Sequence, residues 1–167
     1  MLTDLVQIRR LGEKQREENL RLRLHLKRRN FQERRLKRLS QDIEEQIDCT
    51  ACANCCRVAT VKVVERDVEK LAKRLGVSPN HFVAEYTRED PEEGRVLKRN
   101  PGGCVFLEGN LCSVYDVRPH TCVTFPHLTR GSGSLLSRLW EMPDRACYCP
   151  IVYNTLEAWK KEIGFQR

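Results

Sequence analysis

The stretch DCTACANCCRV, residues 48–58, decides the fold of this chain because it places four cysteines at regular spacing. Two residues separate Cys49 from Cys52 and Cys52 from Cys55, and Cys56 follows directly. A gap of two residues lets a tight turn present two thiolates to one metal ion, and here the gap occurs twice. Side chains of adjacent residues diverge from the backbone. Cys55 and Cys56 therefore serve two centres, or only one of them is a ligand.

Five more cysteines lie farther along the chain, in segments that only folding can bring together. They are Cys104, Cys112, Cys122, Cys147 and Cys149. We treat all nine cysteines as candidate metal ligands, which is enough for one or two four-thiolate sites. Thiolates suit both tetrahedral Zn²⁺ and iron centres such as a 4Fe–4S cluster, so the ligand type leaves the metal open.

Two other uses of the cysteines compete with metal binding. Disulfides are disfavoured because nine is an odd number, a Cys55–Cys56 bridge would be strained, and the N-terminus lacks the apolar region of a signal peptide. Buried free thiols explain one or two cysteines but not the repeated spacing. No apolar run is long enough to span a membrane. These features predict a cytoplasmic protein that makes no membrane contact and keeps its thiols reduced.

Residues 1–47 form a basic arm, with 13 Lys and Arg against 8 Asp and Glu, within a chain of 167 residues and net charge +7. The arm has no proline and is rich in helix-forming residues, which predicts one long N-terminal helix or two stacked helices. Its thin apolar stripe favours docking on a protein partner or on the rest of the chain.

Nucleic-acid or acidic-membrane contact through the basic residues of the arm is the less favoured alternative. The residues concerned are Lys27, Arg28, Arg29, Arg34, Arg35, Lys37 and Arg38. Interleaved glutamates dilute the positive charge, and Phe31 is the only aromatic residue in the arm on which a base could stack. The arm alone therefore predicts a nucleic-acid-binding module less well than a protein-docking helix.

Residues 48–167 are predicted to be one cysteine-cluster domain of short helices and strands that end at turn and capping residues. We expect a strand over 59–64, then a helix capped by Asp67 and ended by Gly76, then a helix that starts with Ser78 and Pro79. Residues 87–95 are predicted to be an exposed loop. Gly109-Asn110 predicts a hairpin over 104–115, and a helix is expected over 154–163 with Asn154 as its cap.

The segments DCTACANCCRV, GGCVFLEGNLCSVYDVRPHTCVTFP and CYCP resemble a bacterial family of zinc- or iron-chelating proteins known as the CxxCxxCC domain. The resemblance covers about residues 48–150. Carried over by position, it assigns metal binding to seven cysteines, with Arg118 and Pro119 in an RPxxC element. Those cysteines are Cys49, Cys52, Cys55, Cys56, Cys104, Cys112 and Cys122. Some relatives are associated with protein-lysine methylation that uses an iron–sulfur centre.

The sequence therefore predicts a small α+β domain that is stabilised by metal, contains a short β-hairpin and several helices, and follows a long N-terminal helix. Metal or cluster binding is the predicted role. An iron–sulfur-dependent redox or protein-modifying enzyme is the alternative. We find no glycine-rich nucleotide loop, no GxSxG turn and no carboxylate pair for acid–base catalysis, which argues against the enzyme.

Overall fold

The computed structural model describes residues 1–28 and 32–165, and across them helices combine with short antiparallel strand pairs. The α+β class is therefore confirmed. The chain divides into two compact units: unit 1 is Met1–Asp48 with Phe125–Arg167, and unit 2 is Cys49–Thr124. This division differs from the predicted arm and domain. Residues after 124 pack with the N-terminal helices, because those helices bury their apolar stripe against the C-terminal helix.

The elements are short, and their bounds follow in chain order. The helices are α1 (Leu5–Lys14), α2 (Arg16–Arg28), α3 (Glu33–Glu44), α4 (Cys49–Cys52), α5 (Asn54–Val58), α6 (Glu65–Leu75), α7 (Pro79–Tyr86), α8 (His120–Thr124), α9 (Leu135–Arg138), α10 (Met142–Arg145) and α11 (Pro150–Glu162). The strands are β1 (Thr87–Asp90), β2 (Gly94–Leu97), β3 (Arg99–Asn100), β4 (Gly103–Cys104), β5 (Leu107–Glu108) and β6 (Leu111–Cys112). Single 3₁₀ turns occupy Tyr115–Val117 and Leu139–Glu141.

Unit 1 is helical, and its core joins the N-terminal helices to the last helix of the chain. Helix α3 packs along α11, and α1 contacts both α10 and α11. The core is mainly aliphatic. Its members include Leu22, Leu26, Leu36, Ile43, Leu128, Leu135, Met142, Ile151, Leu156 and Trp159. Burial stabilises the fold by about 1.5–3 kcal/mol for each large apolar side chain, so this core is what holds the arm in place.

The prediction of one long N-terminal helix is wrong. The helix is broken at Gln15, which caps α1, and α2 begins at the next residue. Leucines spread around the arm rather than along one stripe, so one straight helix would leave part of them in water. Separate helices let α1 bury Ile8 while α2 buries Leu22 and Leu26. Arg29 and Phe31, which the sequence analysis considered for nucleic-acid contact, lie outside the described residues.

The C-terminal helix begins four residues earlier than predicted. Pro150 occupies its first turn, where a missing N–H costs nothing, and Cys149 is the residue before it. Asn154 is therefore inside the helix and does not cap it. Its Oδ1 accepts a hydrogen bond from the backbone N–H of Leu2 at 2.9 Å, and its Nδ2 donates to the Leu2 carbonyl at 2.7 Å.

Unit 2 contains two consecutive helices whose limits agree with the predictions from turn residues. Gly76 ends α6 in the left-handed conformation at φ 70°, and the Ser78 side chain accepts from the N–H of His81 at the start of α7. Asp67 does not hold the predicted N-cap position, because α6 already begins at Glu65. Instead its carboxylate reaches back to the N–H of Val64, the residue before the helix, at 3.3 Å.

Strand pairs supply the rest of unit 2. The predicted loop over 87–95 is instead a hairpin of β1 and β2, because the Asp90 carboxylate accepts from the N–H groups of Glu92 and Glu93 and closes a tight turn. The predicted strand over 59–64 forms only one bridge, between Lys62 and Val96. The turn predicted at Gly109-Asn110 is confirmed, but the hairpin is shorter than the predicted 104–115: β5 pairs with β6, whereas Cys104 on β4 pairs with Arg99 on β3.

Candidate metal centre

The motif of residues 49–56 folds as two short helices rather than one loop. Cys49 and Cys52 lie at the ends of α4, and Cys55 and Cys56 lie in α5. Ala53 separates the helices in the left-handed conformation, at φ 46°. Because the chain turns there, the two pairs of cysteines leave the backbone from different helices.

Strand β4 brings Cys104 beside α5 through a glycine. A Cβ atom added at Gly103 would lie 2.7 Å from the Cys56 carbonyl oxygen and 2.9 Å from the Arg57 Cα, so any side chain there would push the two backbones apart. Gly103 also has φ 133°, which favours glycine. The role of Gly103 was not predicted from the sequence, where the Gly-Gly pair before Cys104 was the available signal.

The other two cysteines of unit 2 come from the hairpin and from α8. Cys112 lies on β6, where it pairs with Leu107, and Cys122 lies in the middle of α8. Asp67 fixes the start of α8, because its Oδ1 accepts from the backbone N–H of His120 at 3.2 Å. The carboxylate is 3% exposed and so links α6 to the helix that carries Cys122.

Four thiols from these separate segments lie close enough to affect one another's ionisation. Burial, and to a smaller extent negative charge on Cys104, Cys56 and Cys112, raises the pKa of Cys122 to about 12. The pKa of Cys104 is raised by burial and then by charge on Cys112 and Cys56. The pKa of Cys112 is raised by burial and by charge on Cys56. We call Cys56, Cys104, Cys112 and Cys122 the thiol cluster.

Cys56 is the acidic member of the thiol cluster. A hydrogen bond from the Cys55 thiol, together with the smaller effects of the Arg57 and Arg118 charges, lowers the pKa of Cys56 to about 6 against the opposing effect of burial. A thiolate therefore predominates at Cys56 at neutral pH. Thiolate is the form that binds metal.

Two arginines surround the thiol cluster. The Arg118 guanidinium stacks 3.7 Å from the centre of the Tyr115 ring, and its buried Nε has no hydrogen-bond partner among the described residues. Arg57 joins the motif to the hairpin: it donates to the Cys52 carbonyl at 3.1 Å and the Gly109 carbonyl at 3.0 Å, and it also bonds Asn110. The site therefore carries fixed positive charge beside its thiols.

Not all of the candidate ligands join the thiol cluster. Cys147 and Cys149 belong to unit 1, where the Cys147 thiol donates to the Pro143 carbonyl at 3.4 Å. Cys49 is exposed on α4, and all nine cysteines are free thiols. Within residues 1–28 and 32–165, no three His, Cys, Asp or Glu side chains form a group that could hold a metal ion. The thiol cluster therefore has the donors of a metal site without its closed geometry.

Residues 48–150 match a family described as "CxxCxxCC: Putative zinc- or iron-chelating domain". The match covers more than half of the chain. The chain belongs to the CxxCxxCC family. The resemblance noted from the sequence is thus confirmed, and the family description names zinc and iron without choosing between them. Neither the curated proteins nor the solved structures provide a match to this CxxCxxCC protein. Among its described helices, none is long and apolar enough to cross a membrane.

Proposed function

We propose that this CxxCxxCC protein binds one zinc ion or one iron centre through the thiol cluster. Two observations support the proposal: Cys104, Cys112 and Cys122 pack against the same apolar core of unit 2, and negative charge on Cys56 raises the pKa of each of the three. Four thiolates are a complete ligand set for tetrahedral Zn²⁺ or for an iron–sulfur cluster. Since the family description names the same metals, the chemistry of the donors and the family agree.

The electrostatics of the thiol cluster favour a cation. In the absence of metal, each additional thiolate raises the pKa of its neighbours, so the cluster resists full ionisation. A divalent cation reverses this repulsion, because it stabilises the thiolates that repel one another. Four thiolates around Zn²⁺ leave a net charge of −2, and Arg57 and Arg118 supply two compensating charges. Metal binding would draw the thiols into the closed geometry that they lack without it.

The other cysteines have separate places in this proposal. Cys55 holds Cys56 in its thiolate form through a hydrogen bond and is a positioning residue. Cys49 and Cys52 lie on α4, next to the site in sequence, and are not ligands of the proposed centre. Cys147 lies in unit 1 and serves as the internal control.

The decisive experiment measures which thiols a metal protects. Full-length protein is purified without oxygen, its zinc and iron are quantified, and it is then alkylated before and after metal removal and analysed peptide by peptide. We expect about one metal centre per chain, with protection of the four thiol-cluster cysteines that is lost on chelation. Cys147 should be alkylated equally in both states. Brown protein that bleaches with dithionite would assign an iron–sulfur cluster, and colourless protein with bound zinc would assign a zinc site.

Single cysteine-to-serine variants provide a second readout. Cys56→Ser, Cys104→Ser, Cys112→Ser and Cys122→Ser should each lose most of the bound metal, whereas Cys147→Ser should retain it. Equal metal content in all five variants would overturn the proposal, and so would protection confined to Cys49 and Cys52. Because the protection experiment uses the unmodified chain, it remains decisive if a variant fails to fold.

A further inference from the structure

A second feature of the molecule, in unit 1, is a run of basic side chains that the metal site does not use. Residues 20–39 contain nine Lys and Arg and a single acid, Glu33. We call the exposed basic residues of α2 and α3 that have no ion pair among the described residues the basic face. Its members are Arg21, Lys27, Arg28, Arg34, Lys37 and Arg38.

Several other basic residues of unit 1 differ from the basic face because they do form ion pairs. Arg9 pairs with Glu13, Arg16 with Asp144, Arg130 with Glu44, Arg145 with Glu141, and Lys160 with both Glu18 and Glu157. Glu33, the one acid within residues 20–39, forms no ion pair with the basic face among the described residues; its carboxylate accepts from the backbone N–H of Leu135 at 3.0 Å. Arg35 is the exception within α3, because it pairs with Glu162.

The arrangement of charge on α3 opposes the stability of that helix. Arg34 and Lys37 are three residues apart, and Arg34 and Arg38 are four apart, so like charges are neighbours on one face. Basic residues also occupy the N-terminal half of α3, while Asp42 and Glu44 lie near its C-terminus. This is the reverse of what the helix dipole favours. A bound polyanion would reduce both the repulsion between these like charges and their unfavourable interaction with the helix dipole. Polyanion binding would therefore explain why α3 carries an arrangement of charge that destabilises it.

The surroundings of the basic face narrow the class of partner. Leu36 and Ile43, the apolar side of α3, are buried in the core of unit 1. They are therefore not free to enter a lipid bilayer or to form the apolar centre of a protein interface. The described parts of α2 and α3 contain no Phe, Tyr or Trp on which unpaired bases could stack. The surface therefore offers positive charge without apolar or aromatic contacts, and the phosphate groups of a ligand match that charge.

We propose that the basic face binds the phosphate backbone of duplex nucleic acid without reading its sequence. Duplexes present a dense row of phosphates, and each Lys or Arg that neutralises one releases a counterion. Such contacts position a protein on a duplex but carry no sequence information. The surface lies on elements other than those of the thiol cluster, so this activity is separate from metal binding.

The test uses the full chain and a fluorescent DNA duplex of mixed sequence, with an RNA duplex of the same sequence as a second probe. Binding is followed by anisotropy between about 50 and 200 mM salt, where phosphate contacts weaken steeply. The variant is the triple replacement Arg34→Gln, Lys37→Gln and Arg38→Gln. We expect about tenfold weaker binding or more, and a plot of log affinity against log salt that is shallower by about 2.7.

A matched control removes the same charge from another exposed helix face. Arg66→Gln, Lys70→Gln and Lys73→Gln take three positive charges from α6, whose exposed face also carries Glu65 and Glu69. This variant should bind within about twofold of the unmodified protein, the small loss reflecting net charge alone. The metal content of both triple variants should stay unchanged, which separates this proposal from that of the metal site.

Three outcomes would overturn the proposal. The first is equal loss of binding in the control variant, which would show that only net charge matters. The second is binding of the unmodified chain that does not depend on salt. The third is tight binding to vesicles containing anionic lipid that the DNA duplex fails to displace. Circular dichroism should show that the α3 variant melts no lower than the unmodified protein, since removing like charges cannot weaken the helix by repulsion.

Discussion

A substitution at Asp67 tests how unit 2 is assembled, because this one buried carboxylate accepts hydrogen bonds from two separate segments of the chain. It is 3% exposed and accepts from the Val64 N–H at 3.3 Å and from the His120 N–H at 3.2 Å. The change to make is Asp67→Ala. It leaves two partly buried N–H donors without their carboxylate acceptor, one at the start of α6 and one at the start of α8.

The expected loss of stability follows from these two contacts. A hydrogen bond to a charged acceptor contributes about 1.5–3 kcal/mol to stability. Both distances lie at the long end for N–H to O bonds and both donors are only partly buried, so about 1–2 kcal/mol applies to each bond and the total is about 2–4 kcal/mol. Asp67→Asn keeps one acceptor oxygen and should lose about half as much. The effect should be strongest at α8, which carries Cys122.

Hydrogen–deuterium exchange of metal-free protein measures the effect where it arises. Peptides from α6 and α8 should lose protection in Asp67→Ala, while peptides from α11 serve as the reference. A loss of about 2–4 kcal/mol corresponds to exchange that is faster by roughly 30-fold to 1,000-fold. Unchanged protection at α8 would refute the reasoning, and so would an Asn variant as unstable as the Ala variant. Reduced zinc or iron content in Asp67→Ala alone would tie the carboxylate to the metal site.

Three further predictions concern packing, ionisation and metal. Gly12→Ala should lower the free energy of unfolding, measured in urea, by about 1–2 kcal/mol. The added Cβ would lie 2.6 Å from the Ala146 carbonyl oxygen, and the cost of this clash exceeds the gain in helix propensity. Gly102→Ala, which meets no atom within 4 Å, should change it by less than about 0.5 kcal/mol. In metal-free protein, alkylation of Cys56 should follow a midpoint near pH 6 and be severalfold faster at pH 7 than that of an ordinary thiol; a midpoint near 9 would contradict the assignment. Because the pKa of Cys56 is lowered on folding, its thiolate stabilises the folded state, and this stabilisation should be lost as pH falls through about 6. Urea titrations at pH 5 and pH 8 would detect the difference in the free energy of unfolding. Removing the metal with a chelator should lower the melting temperature of full-length protein, and added Zn²⁺ or iron should restore it; an unchanged melting temperature would show that unit 2 does not depend on metal.

Local sequence was sufficient for elements whose determinants lie within a few residues. The end of α6 at Gly76, the start of α7 at Ser78 and the turn at Gly109-Asn110 all agree with their predictions. Each depends on a backbone conformation or a capping bond between near neighbours. The hairpin over 87–97 was missed although its turn is equally local, because its charged residues resemble those of an exposed loop.

By itself, then, the sequence determined the family, the cysteine spacing and the helix and turn limits that short-range bonds set. Tertiary structure was needed to place β4 beside α5, where Gly103 lets the two backbones approach, and to tie α6 to α8 through Asp67. It also decided that the arm packs with α11 and that Asn154 bonds to Leu2, 152 residues away. Such contacts join residues far apart in the chain. They leave no periodic pattern in the sequence, because the free energy that selects them arises only when distant surfaces are buried together.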